Sequence, residues 1–124
     1  MKPILVGALL ALTLSGCATI STLTGTTISP TQIVVAGNAF DAVEATATNY
    51  LSLPACVSGG TKICRDPAIV AKIVPLVRAG RKERIALETY STANGGAPAP
   101  VTLFDTLQAT IASLQSLFAS YSIK

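Results

Sequence analysis

The chain contains no histidine and no tryptophan, and three tyrosines and three phenylalanines are its only aromatic residues. Without histidine it lacks the commonest general base, the commonest metal ligand and the side chain that titrates nearest neutrality. An enzyme built on this sequence would work without its usual tools, and neither a cofactor nor a metal site is expected. Charge is scarce too: 12% of residues are charged and the formal net charge is +3. That is far below the basic excess of an electrostatic nucleic-acid binder, so no nucleic-acid partner is expected. Half of the residues are hydrophobic, most of them Ala, Val, Leu and Ile. Such a core of small aliphatic side chains suits closely packed helices. The length of 124 residues allows one small domain, in which a lone core is marginal and a covalent staple or a partner is expected to help.

No apolar run reaches the roughly 20 residues of a membrane-spanning helix. The longest, Ile4 to Leu14, follows a short basic start of Met1, Lys2 and Pro3 and leads into the small residues Ser15 and Gly16 before Cys17. This is the layout of an export signal that is cleaved rather than retained. Leu14, Ser15, Gly16 and Cys17 resemble the lipobox of bacterial lipoproteins, a pattern that covers residues 1–17 of this chain. The resemblance implies a diacylglyceryl group on the Cys17 thiol, cleavage before Cys17 and a further acyl chain, such as palmitate, on the new amino group. Each buried methylene contributes about 0.8 kcal/mol, so two or three chains hold effectively permanently. The alternative is ordinary cleavage after Ala18 and a soluble product. Ala18 stands where enteric lipoproteins retained in the inner membrane carry Asp, so the resemblance implies the periplasmic face of the outer membrane, with the inner membrane as the other possibility.

Three cysteines is an odd count for an exported chain. Acylation of Cys17 would resolve it and leave Cys56 and Cys64, which flank a loop turning at Gly59 and Gly60. An oxidising compartment favours their pairing as a structural disulfide. A redox pair and a metal site are the alternatives. Seven intervening residues is not the CxxC spacing of thiol oxidoreductases, and two thiolates without histidine leave a zinc site half built.

Seven of the twelve residues from Ala18 to Ser29 are Ser or Thr, which reads as a tether, with a β-strand as the alternative. Ser29 before Pro30 then predicts a helix start. Ile33, Ala36, Phe40, Val43, Ala47 and Tyr50 follow at helical spacing, and Pro54 stops the helix near Leu53. Asp66 before Pro67 repeats the start, and Ile69, Ile73, Leu76, Val77, Gly80 and Leu87 form the second apolar side. Pro75 within it must kink the helix or divide it; one kinked helix to about Thr92 is expected. Gly80 would permit close approach of a neighbouring helix or mark a break. Asn94, Gly95 and Gly96 end the run, and Ala97 to Pro100 make a stiff connector. Thr102 is then expected to cap a third helix carrying Asp105 in its first turn and Phe104, Leu107, Ile111, Leu114, Phe118 and Tyr121 on its apolar side. The predicted fold is all-α: an antiparallel three-helix bundle (30–124) behind a cleaved signal peptide (1–16) and an acylated Ser/Thr-rich tether (17–29).

The densest charge cluster lies in the second helix, where Arg78, Arg81 and Lys82 share one face. They are a candidate surface for an anionic partner, such as phospholipid headgroups or an envelope glycan; a merely solvated face is the alternative. Arg84 falls near the apolar stripe and needs either Glu88 at i+4 or a carboxylate from the first helix. Asp41 and Glu44 are read as solvated rather than as an acid and base pair, and Ser113, Ser116, Ser120 and Ser122 as helix surface. The expectation is a non-enzymatic, membrane-anchored binding or structural module with an envelope partner. The mature chain loosely resembles small helical lipoproteins of proteobacteria and their prophages, which implies a second possibility, a prophage-derived protein acting in host lysis or superinfection exclusion.

Overall fold

The computed structural model describes residues 27–60 and 63–123; the expected signal, Cys17 and most of the expected tether lie outside the described residues. Five elements follow in order: β1 (Thr27–Ile28), α1 (Pro30–Leu51), α2 (Pro67–Ala93), β2 (Ala99–Pro100) and α3 (Val101–Ser120). The fold is predominantly helical with one two-stranded antiparallel ladder.

Local chemistry sets the helix ends. Ser29 and Gln32 form a reciprocal capping box on α1: the Ser29 N–H donates to Gln32 Oε1 (2.8 Å) and the Gln32 N–H to Ser29 Oγ (3.4 Å). Asp66 Oδ1 accepts the Ala68 N–H at 2.7 Å to cap α2. All six residues of the expected α1 stripe are buried. In α2, Ile73, Val77, Gly80 and Leu87 are buried while Ile69 and Leu76 are half-buried, and the helix runs unbroken through Pro75, whose ring faces solvent. Gly80 therefore marks a close contact and not a break.

The C-termini of α2 and α3 close in the same way. Gly96 N–H reaches Ser91 O (2.8 Å) and Gly95 N–H reaches Thr92 O (3.2 Å), a Schellman turn with both glycines at positive φ. After α3, Ile123 N–H reaches Phe118 O (2.9 Å) and Ser122 N–H reaches Ala119 O (3.3 Å), with Ser122 itself at φ 53°. Ile123 packs against the core from that turn.

Three expectations are corrected. Thr27 and Ile28 do not continue the tether: they pair with Pro100 and Ala99, and Ile28 is 1% exposed, so both belong to the folded domain. The reason is apolar burial, since Ile28 and Ala99 both enter the core, and for these two residues the β-strand alternative holds. Thr102 does not cap α3. The strand pairing carries the chain into the helix at Val101, Pro100 takes the cap position with no side-chain hydrogen bond, and Thr102 and Asp105 fall inside the helix, with no acid in its first turn. Tyr121 also leaves the apolar stripe, being the C-cap residue and exposed.

Contacts between helices fix their directions. Arg81 meets Glu44 while Arg84 meets Asp41, and Tyr50 meets Asp66, so α1 and α2 run oppositely. Lys72 meets Tyr121 at the start of α2 and the end of α3, and Ile28 and Ala99 lie where α1 and α3 begin. One core joins all three helices and both strands. No helix among the described residues is long and apolar enough to cross a membrane.

Candidate functional site

The bundle has two poles. One carries the β1–β2 ladder and the end of α2. The other, about 33 Å away by the 1.5 Å rise along the 22 residues of α1, carries the loop between α1 and α2. In that loop Cys56 and Cys64 are disulfide-bonded with a Cα–Cα separation of 4.9 Å. Backbone bonds from Arg65 N–H to Pro54 O (2.9 Å) and from Cys56 N–H to Arg65 O (3.1 Å) lie beside the bridge. The Arg65 guanidinium donates to the Leu51 carbonyl, and the Asp66 N–H donates to Tyr50 Oη at 2.7 Å. The end of α1 and the start of α2 are thus tied by covalent, backbone and side-chain links together.

Along the α1–α2 seam Phe40, fully buried, lies against Gly80. A Cβ on Gly80 would stand 2.0 Å from Phe40 Cε2, so any side chain there displaces the ring. Outside this contact runs a chain of charges. Arg84 pairs with Glu88 at 2.8 Å and with Asp41 of α1, and Arg81 pairs with Glu44. Arg84 takes both of the partners that its angular position called for. Its hydrogen bond with Glu88 raises the guanidinium pKa above the ordinary value; partial burial opposes this, and the charges of Glu88, Asp41 and Glu44 add to it. It stays cationic at any physiological pH.

Asp41 and Glu44 are not the solvated pair that the single-helix pattern suggests. Both are half-buried and each holds an arginine of α2, because α1 turns its charged flank toward α2 rather than toward water. The same seam divides the candidate anion-binding face. Arg78 and Lys82 are exposed and make no ion pair among the described residues, whereas Arg81 is bonded to Glu44. Glu83 beside them is half-buried, with one carboxylate oxygen that has no hydrogen-bond partner among the described residues.

The α2–α3 seam has a different rim. A surface groove of about 840 Å³ runs between the helices over Leu76 and Leu117, with Ser113, Ser116 and Ser120 along one wall. At one end the Lys72 ammonium donates to Tyr121 Oη at 2.7 Å and lies 5.2 Å from the ring centroid. Sequence reading assigned those serines to plain helix surface and missed Lys72, because the groove exists only once α2 and α3 are side by side.

No cluster of three or more His, Cys, Asp or Glu side chains suited to a metal occurs among the described residues. Cys17, the predicted acylation site, lies outside the described residues. Compared with protein families, curated proteins and solved structures, the chain shows no significant match.

Proposed function

We propose that this chain is a lipid-anchored envelope lipoprotein whose helical domain acts by binding and not by catalysis. The observation that carries the reading is the cysteine balance. Cys56 and Cys64 bond to each other, which leaves Cys17 as the unmatched thiol, directly behind Leu14, Ser15 and Gly16, where acylation needs it. Residues 1–16 are then a cleaved signal peptide, and the chain from Cys17 to Thr26 tethers the domain to the periplasmic face of the outer membrane. Ten residues reach about 35 Å when extended, enough to hold the domain clear of the headgroups.

In this arrangement the β1–β2 pole faces the membrane and the disulfide pole faces away from it. The surface offered to an anionic partner, a lipid headgroup, envelope glycan or acidic protein, is centred on Arg78 and Lys82. Arg81 contributes to it only by leaving Glu44.

The test is the intact mass of protein recovered from envelopes. The expected species begins at Cys17 and carries diacylglyceryl and acyl chains, and Cys17→Ser is released or left as an unprocessed precursor. A mature protein beginning at Thr19 without lipid would overturn the reading.

A further inference from the structure

The strongest unassigned feature is the α2–α3 groove. Its floor is apolar, with Leu76 and Leu117 half-buried beneath it, and its α3 wall presents Ala112, Ser113 and Ser116, small enough for another backbone to come close. Lys72 closes one end with no carboxylate partner among the described residues, steadied by the Tyr121 ring and hydroxyl. No acidic residue lines the groove, and α3 carries no charge after Asp105. Farther along α2, Arg78 and Lys82 are also exposed without an ion pair among the described residues, while Arg81 between them is held by Glu44.

We propose that the α2–α3 groove is the docking site for an acidic amphipathic helix of a partner protein, laid over Leu76 and Leu117 with a carboxylate against the Lys72 ammonium. The proposal rests on the reading of the domain as a binding module and names its partner's chemistry. Ala112 to Tyr121 spans about 14 Å of α3 at 1.5 Å per residue, which suits anchors at i, i+3 or i+4, and i+7 of a docked helix. Complementarity decides among occupants. A polyanionic glycan or phosphate surface would leave the apolar floor uncovered and has a single cation to grip within the groove. A second copy meeting through the same groove would bring Lys72 and no carboxylate to its twofold partner. An acidic helix covers the leucines and neutralises Lys72 together.

The experiment places a benzophenone amino acid at Ser116 of the full-length protein, expressed from its own locus, and maps the photo-adduct by peptide mass spectrometry. The expected adduct is a segment of another protein with apolar residues at helical spacing and at least one Asp or Glu beside them. Lys72→Glu is expected to lower its yield about tenfold and Lys72→Gln less. Asn38→Glu, which puts a new charge on exposed α1 outside the groove, leaves it within about twofold. Should Lys72→Glu melt far below the parent, Lys72→Gln carries the comparison alone. An adduct with a second copy, with lipid or with glycan overturns the proposal; so does a protein adduct indifferent to both Lys72 variants, or no adduct. Intact mass of the same material reports acylation separately, so loss of the adduct from lipid-bearing protein rejects the groove and leaves the anchor standing.

Discussion

Helix α2 makes two seams of opposite character. Toward α1 it is closed on itself: a glycine receives a buried ring, two arginines take three carboxylates, and a disulfide secures the loop that joins the helices. Toward α3 the interior is apolar as well, but the rim has no ion pair among the described residues, and a lysine rests on a tyrosine beside an open groove. Charges paired within the chain are unavailable to anything else, so both seams hold the domain together and differ in whether the charge at the rim is already matched.

The harshest way to break this contrast is Gly80→Val. The ring of Phe40 is fully buried and has nowhere to swing, yet a Cβ would stand 2.0 Å from it. Overpacking of this kind costs about 3 kcal/mol, far more than the few tenths that valine gains over glycine in helix propensity. At roughly 4 to 8 °C per kcal/mol for a domain of this size, the melting temperature should drop by more than about 10 °C. Combining it with Phe40→Ala should cost less than the two single losses added together, because the ring has vacated the site. Strict additivity would mean that the contact does not close the seam.

Second in size is the disulfide. The Cys56→Ser, Cys64→Ser double variant should lose about 2 to 3 kcal/mol on the chain-entropy estimate for so short a loop. It should keep its helical circular dichroism, because the links from Arg65 to Pro54 and Leu51 and from Asp66 to Tyr50 do not depend on sulfur. Free thiols in native protein would refute the bond; equal melting temperatures would show that it staples nothing.

These strong features differ in how far the sequence discloses them. The Ser29–Pro30 and Asp66–Pro67 starts, the Asn94–Gly95–Gly96 stop and the spacing of Cys56 and Cys64 act within a few residues, and the observed elements begin and end within about two residues of the expected positions. What is not legible joins distant parts of the chain. The pairing of Thr27 with Pro100 joins residues far apart in sequence, so local composition shows a tether there with a strand only as the alternative, and a connector before α3. Thr102 carries the right side chain for a cap, but Pro100 reaches the position first. Angular sorting within one helix left Asp41 and Glu44 solvated and Arg81 unpaired because it cannot see the helix alongside. Arg84 is the instructive intermediate: its place near the apolar stripe demanded a carboxylate, and both candidate acceptors are present.

That ionic seam supplies a third, smaller test. A double-mutant cycle on Arg84→Met and Asp41→Asn should give a coupling of about 0.5 to 1 kcal/mol, since both side chains remain partly in water and salt screens them. The coupling should shrink in high salt. A value near zero would leave the seam's closure to Phe40 against Gly80, the Arg81–Glu44 pair and the disulfide.

The smallest effect belongs to Lys72 and tells most about the other seam. Its ammonium is exposed, its hydrogen bond goes to the Tyr121 hydroxyl rather than to a carboxylate, and its contact with the Tyr121 ring is open to water. A cation over an exposed ring contributes only about 0.5 to 1 kcal/mol, and holding the flexible lysine in place offsets part of that. Lys72→Ala should therefore shift stability by no more than about 0.5 kcal/mol, measured by urea unfolding with an unchanged m-value. The comparison is with Arg84→Ala, which strands Asp41 and Glu88 together and should cost visibly more. If Lys72→Ala destabilised the domain as much as Arg84→Ala, Lys72 would be a structural fastening like its counterparts on the α1 side. A near-neutral result means that folding does not require a cation at the groove's end, so its charge is free for whatever lies in the groove.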